Sequence, residues 1–320
     1  MGKFTLQMAC LFLSSVVVFA QKIDHTTSFK SMPNEQYFRI HYDNDYFAAT
    51  DENYTQGYNL ELVLPSLSKN PANALFLKTD GDRTTYGIAI EHIGFTPNDY
   101  ASDVIQFGDR PFAAAIMLKS FKISTDTSKK SRITSALSLG LMGPGAFGEE
   151  MQVGIHKVTG NKIPMGWQYQ IRNDVVINYD IGFEKQLLKY DDLVTLQAQF
   201  NGQLGTLFSN ISAGFNGTVG LINSVFSESD QPKKFQVYLY SQTFATVVGY
   251  DATLQGGLLS KESPYTIASN DVERLKAQFN YGLIVKTKTL YFEYSRSAIT
   301  KEFETGSSAK WGGIRIGFTF

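Results

Sequence analysis

The sequence predicts an all-β fold, a transmembrane antiparallel β-barrel of about twelve strands with a short helix in an extracellular loop. Three observations carry this. The chain opens on a segment built like a removable secretory signal. Its body repeats an apolar–polar alternation of period two, and it ends on such a strand closed by Phe320.

The opening segment runs from Met1, Gly2 and Lys3 into an apolar stretch, Met8 to Phe19, closed by Ala20. A charged start, an apolar run of this length and a small residue at its end are the parts of a signal peptide. The run is shorter than the roughly 20 apolar residues a membrane-spanning helix needs. Residues 1–20 are therefore read as a removed signal and residues 21–320 as one barrel domain. Cys10 is the single cysteine, and Gln7-Met8-Ala9 before it lacks the leucine of a lipoprotein signal. The mature chain then offers neither a disulfide frame nor a thiol site. With 29 basic and 30 acidic residues the charge is nearly balanced, which argues against a nucleic-acid partner. Mean hydropathy is slightly polar, as it is when lipid-facing and lumen-facing residues alternate.

The terminal strand is the clearest. Ile314, Ile316, Phe318 and Phe320 alternate with Gly313, Arg315, Gly317 and Thr319, so one face is wholly apolar. A final phenylalanine on such a strand resembles the signature by which outer-membrane barrels of Gram-negative cells are recognised for assembly. The same alternation recurs in Tyr58-Leu60-Leu62-Leu64, in Val194-Leu196-Ala198-Phe200 and in Leu290-Phe292-Tyr294. Together with the turn residues between such runs, it predicts strands at 35–47, 55–64, 84–96, 112–124, 132–143, 169–188, 193–207, 209–222, 235–251, 271–287, 289–303 and 310–320. An even count is what a bacterial barrel requires. With both ends placed in the periplasm, the connections 48–54, 97–111, 144–168, 207–209, 252–270 and 304–309 are extracellular. Residues 65–83 would be a long periplasmic turn, which fits that scheme poorly.

Three segments with chemistry-bearing residues fall on the extracellular side. They are Asn44-Asp45 with Tyr54-Thr55-Gln56-Gly57, then Asp109-Arg110-Pro111-Phe112, then Gly143-Pro144 through Trp167 with Glu150, Gln152 and His156. Here the sequence resembles the lipid A 3′-O-deacylase (LpxR-type) family of outer-membrane proteins. The matching elements are Asn44-Asp45, Asp51…Tyr54-Thr55-x-Gly57, the loop from Thr96-Pro97 to Asp109-Arg110, Gly143-Pro144, Glu150-x-Gln152-x3-His156 and Trp167-x2-Gln170. Each is weak alone; their order and spacing over residues 38–170 make the set specific. The resemblance implies a twelve-stranded outer-membrane barrel that hydrolyses the 3′-linked acyloxyacyl ester of lipid A with calcium as cofactor. Its partner would be the lipopolysaccharide of the outer leaflet, and its site would face that leaflet.

The residues suit that chemistry. Ester hydrolysis needs a water nucleophile, a base and a sink for the oxyanion. His156 can be the base, since imidazole exchanges protons near neutral pH. Asp45, among oxygen donors, can hold a hard cation such as Ca2+, which would polarise the ester carbonyl. Asn44 and Thr55 could position that cation or donate to the oxyanion. Gln152, Glu150, Asp109 and Arg110 would bind substrate or support the site, with Asp109-Arg110 read first as a pair that orders its loop. Residues 147–158 carry Phe147, Met151, Ile155 and Val158 at helical spacing, while Gln152 and His156 share a different face. The expectation is that Phe147, Met151 and Ile155 pack on the barrel rim and His156 points toward strand one. His25, His41 and His92 are read as structural, and Trp167 as a loop plug or interface anchor.

By parity Phe38, Ile40 and Tyr42 face lipid, so Asn44 points outward and Asp45 inward, with Thr55 on the inward side of Asn59 and Glu61. Asn44 and Asp45 can then meet at one site only if the strand bulges or ends there. The chain also departs from the family. No lysine occurs between Lys78 and Lys119, where some members carry one after the Thr/Ser-Pro step, and Ser102 sits near that place. Asn161 and Ile163 stand where relatives have Glu and Tyr. A second class of function is a catalytically silent barrel, a channel or surface-interaction protein. A third is another lipid esterase such as a phospholipase. The absence of a Gly-x-Ser-x-Gly elbow disfavours a serine esterase of the hydrolase fold.

Overall fold

The structure is a computed structural model, described here for residues 23–32, 34, 36–45, 53–227 and 232–320. The signal segment, Asp51 and most of the connection 48–54 lie outside the described residues. Twelve strands follow one another: β1 (Tyr37–Asn44), β2 (Asn53–Val63), β3 (Arg83–Thr96), β4 (Ala113–Asp126), β5 (Ser131–Met142), β6 (Asp174–Tyr190), β7 (Val194–Gly205), β8 (Phe208–Leu221), β9 (Gln236–Asp251), β10 (Leu275–Lys286), β11 (Leu290–Ile299) and β12 (Ala309–Thr319). Each pairs antiparallel with its neighbours, and β1 closes on β12 from Tyr37↔Thr319 to Asn44↔Gly312. Closure leaves no sheet edge, so every spanning backbone group finds a partner without water, the condition for sitting in hydrocarbon. Among the described residues no helix is long and apolar enough to cross a membrane. The predicted spans agree to within a few residues. The largest differences are at β6, which starts later because Gly166–Tyr169 forms a 3-10 turn, at the start of β10 and at the end of β11.

The alternation becomes an apolar belt. Ile40 pairs with Leu60, Leu60 with Ile90, Ile90 with Leu118, Leu118 with Leu139 and Leu139 with Ile177, so one register row circles half the barrel on its outer wall. All six are exposed, which suits lipid and not water. The long connections 97–112, 143–173, 252–274 and 300–308 leave one end of the barrel. The other end has tight turns such as 191–193 and 287–289. The predicted long turn before β3 holds two 3-10 turns, Pro65–Lys69 and Pro71–Leu75. It lies along the wall: Asn70 donates to Ser120 Oγ (3.0 Å) and Tyr179 Oη to the Leu75 carbonyl (2.9 Å).

The lumen is filled. Residues 23–32 thread into it and are held by charges on its wall. His25 contacts Glu61 at 3.2 Å, Lys30 contacts Glu293 at 3.0 Å, and the Ser28 amide donates to Glu184 at 2.8 Å. Arg39 is shared between Glu61 and the carbonyls of His25 and Lys30. The sequence pattern assigns this segment no role. It has no periodicity, and its partners lie as far as 291 residues away in the case of Asp24 and Arg315.

Candidate active site on the outer wall

β1 stops at Asn44, which continues the outer row of Phe38, Ile40 and Tyr42. Its Nδ2 donates to the Thr55 carbonyl at 2.7 Å. Asp45 follows in a 3-10 turn and is buried. Between β2 and β3 the register passes from Tyr54↔Phe95 to Gln56↔Gly94, so Thr55 is an extra, bulged residue. Tyr54 stays in the lumen against Phe95 and Trp311, with ring centroids 5.5 and 5.0 Å away. Thr55 instead pairs its hydroxyl with that of Thr96 at 2.5 Å, and Thr96 has the outward parity of Gly94 and His92. This corrects the inward placement expected for Thr55. The bulge, which parity alone cannot see, turns it out. The strand end after Asn44 and the bulge at Thr55 together meet the condition that parity had set.

The helix α1 (Gly148–Thr159) lies on the outside of β4. A Cβ on Gly148 would come within 2.6 Å of both Ala114 Cβ and the Trp167 ring, so only glycine allows this approach. Gln152 and His156 follow at four-residue steps and are buried on the same face. Trp167 packs on Phe112 (5.0 Å) and donates its indole N–H to Gln152 Oε1 at 2.7 Å, so it is a buried loop plug. His156 sits edge-on to Tyr100 at 5.3 Å. Its Nδ1 lies 2.5 Å from the Lys162 carbonyl, which can only accept. Nδ1 therefore carries the proton, and Nε2 of the neutral ring keeps its lone pair. Gly160, with φ of 73°, ends α1 in the left-handed conformation and lets the chain fold back toward His156.

The packing of α1 differs from the expectation. Its buried stripe is Gly148, Gln152 and His156, while Phe147 and Val158 are exposed and Met151 and Ile155 half-buried. A helix resting on a lipid-facing wall can leave apolar side chains to the surrounding lipid. The helical periodicity was legible; what the apolar face meets was not. Glu150 is exposed and points away from the buried face.

Asp109 and Arg110 stand apart. Asp109 accepts from the Asn98 and Arg110 amides at 2.9 and 2.7 Å, shaping its own loop. Arg110 is buried over the Phe95 ring (4.0 Å), ion-paired to Glu302 and bonded to Thr253 Oγ1 (2.7 Å). Lys276 joins Glu302 at 3.0 Å. Burial alone would push the Glu302 carboxyl up, but Arg110 and Lys276 hold it below the ordinary carboxylate range. The pair thus ties the loops 97–112 and 300–308 together at the mouth of the barrel.

The wall beside α1 is unusually polar for a membrane face. Tyr42 stacks on Tyr58 (5.1 Å), and Tyr58 donates to Gln56 Oε1 (3.3 Å). His92 Nε2 donates to the Ala146 carbonyl (3.0 Å), a structural role like that of His25 on Glu61 and of His41 on Asp43 (2.8 Å). Thr96, which meets Thr55, and Tyr100, which meets His156, were missed as site residues; the outward parity of Thr96 was the signal that could have found it. No cluster of three or more His, Cys, Asp or Glu is found among the described residues. Asn44 is bonded to the Thr55 carbonyl, the Thr55 and Thr96 hydroxyls meet, and the Asp45 carboxylate is next to Asn44 in the chain. They are hard oxygen ligands with a single carboxylate, and so fit a weakly held calcium ion better than a softer metal.

Fold and site together define a membrane β-barrel that carries a group of polar side chains on its outer wall, at the long-loop ends of β1–β3, beside a loop helix laid on β4. The chain belongs to the family of the outer membrane protein LpxR, whose profile matches residues 6–320. It lies in the outer membrane. Its fold is similar to that of LpxR from Salmonella typhimurium, with a TM-score of 0.71 at 19% identity over 89% of this chain and 100% of that one. The β domain of the Bordetella autotransporter BrkA scores 0.47 at 8% identity, over 89% of this chain and 99% of that one. No curated protein sequence matches the chain.

Proposed function

We propose that the chain is a lipid A deacylase-like esterase that hydrolyses an ester-linked acyl chain, the 3′-acyloxyacyl chain in particular, from lipid A of the outer leaflet. The observation that carries this reading is the state of His156. Its Nδ1 is committed to the Lys162 carbonyl, so Nε2 is an acceptor on the buried face of a helix laid over the outer wall. A base held in one tautomer can take a proton from water without first reorienting. The long-loop end would face outward, so that a lipid reaches this stretch of wall sideways from the leaflet with its acyl chains still in hydrocarbon. Asn44, fixed by its bond to the Thr55 carbonyl, would orient the ester group. Asp45 would be the side-chain ligand of Ca2+, with Thr55, Thr96 or backbone oxygens beside it. Bound there, calcium would supply Lewis-acid polarisation of the ester carbonyl.

A channel is the weaker reading, because residues 23–32 and their ion pairs occupy the lumen. The test is mass spectrometry of lipid A from cells with and without the gene. Loss of one acyl chain, present only with the wild-type protein, supports the esterase. Identical spectra would leave the silent barrel as the better account.

A further inference from the structure

Charge is rare on the outer wall. At the tight-turn end of the barrel Lys122 and Lys185 face outward. In the strand halves nearer the long loops, among the described residues, the charged side chains at outward register positions are Arg296 and Lys310. They are not scattered. Arg296 continues the outer row Leu290, Phe292 and Tyr294 on β11, and Lys310 opens the row Gly312, Ile314 and Ile316 on adjacent β12. Both lie within a few residues of the strand ends from which the long connection 300–308 leaves.

Register fixes where the pair sits relative to Asn44. Arg296 is level with Gly312, and Gly312 is level with Asn44. Arg296 is therefore two strand spacings from Asn44, roughly 10 Å, on the side away from α1. The position between them, Gly312, carries no side chain. The Arg296 guanidinium lies 5.8 Å from the Tyr294 ring centroid, close to the wall.

We infer that Arg296 and Lys310 form a phosphate-binding subsite, which holds the phosphate group of the lipid whose ester is presented at Asn44 and His156. A charged side chain on the lipid face is costly at mid-membrane and nearly neutral near the interface, the level at which lipid phosphates lie. The planar fork of an arginine matches two phosphate oxygens, and a neighbouring ammonium adds a second positive charge. The 97–111 loop carries no lysine and its Arg110 is buried on Glu302, so the pair supplies positive charge that this loop does not. The substrate is thereby a phosphorylated acyl lipid whose phosphate and scissile ester span the distance from Arg296 to Asn44. This rests on the esterase reading for what happens at Asn44, but phosphate recognition can be measured without turnover.

The experiment uses full-length protein in detergent, in a His156→Gln background, and measures binding of lipid A with its phosphates and of lipid A from which they have been removed. The parent should bind the phosphorylated lipid about tenfold tighter or more, the scale of a charge-assisted hydrogen bond. Arg296→Gln/Lys310→Gln should abolish that preference, and the charge-conserving Arg296→Lys/Lys310→Arg should keep part of it. Lys261→Gln, an exposed cation in the 252–274 connection, should keep it in full. A parent without preference, a double Gln variant that retains it, or an equal loss in Lys261→Gln would each overturn the subsite. If phosphate preference behaves as expected while the His156 protein never cleaves lipid A, the subsite stands and the esterase reading falls.

Discussion

The seat of α1 on β4 sets where His156 is, and Gly148 sets the seat. A valine at 148 would place its Cβ 2.6 Å from Ala114 Cβ and from the Trp167 ring. Ordinary carbon contacts are about 3.5–4.0 Å, so helix and wall must separate by roughly 1 Å. A misplacement of that size between catalytic group and substrate costs on the order of 10²-fold in rate. Gly148→Val should therefore lower deacylation about a hundredfold. Heat-modifiable migration on a gel should persist, because α1 takes no part in the strand ladder. Gly154, in the same helix, has nothing within 4 Å of the place a Cβ would occupy. Gly154→Ala should retain activity and stabilise the helix by about 1 kcal/mol. Wild-type turnover in Gly148→Val, measured by mass spectrometry of lipid A, would refute the claim that this contact positions the base.

Three further outcomes follow from the same geometry. Asp45→Ala should abolish the calcium dependence of turnover, and chelator should silence the parent but not a proteolysis-resistant fold; an unchanged calcium titration in the variant would place the metal elsewhere. Arg110→Ala leaves Glu302 buried without its main partner, a loss of about 3–5 kcal/mol for such pairs, read as faster protease cleavage in loops 97–112 and 300–308. The Glu302 carboxyl is depressed below its ordinary value of 4.5. Its contribution is thus complete above that pH and is lost as pH falls toward the folded-state value, so loop protection in the parent should be flat near neutrality and decline in acid. Protection that declines instead on raising the pH would contradict the assignment. An epitope inserted after Lys261, exposed in the 252–274 connection, should label on intact cells, and labelling only after permeabilisation would reverse the orientation.

The sequence made the barrel legible because alternation maps directly onto wall and lumen, and twelve runs of it close without remainder. Gln152 and His156 were placed on one helical face for the same reason. What failed was whatever depends on a partner outside the local pattern. The bulge that turns Thr55 outward adds one residue to a strand and leaves no mark in composition. The apolar stripe of α1 was matched to protein when its environment includes lipid. The ties of Lys30 to Glu293 and of Arg110 to Glu302 join residues remote in sequence. Arg296 is a different case: it continues the outward row of Leu290, Phe292 and Tyr294, and a charge in that row was visible from the start.

The central claim is that His156 activates water for ester cleavage on the outer wall. Glutamine can keep a hydrogen bond to the Lys162 carbonyl but cannot accept the proton. Cells expressing the wild-type chain or His156→Gln at equal, heat-modifiable levels should differ in their lipid A mass spectra. The account predicts a deacylated species with the wild type and a loss of about 10²–10⁴-fold in its rate of formation with the variant. Substantial deacylation by His156→Gln would contradict it.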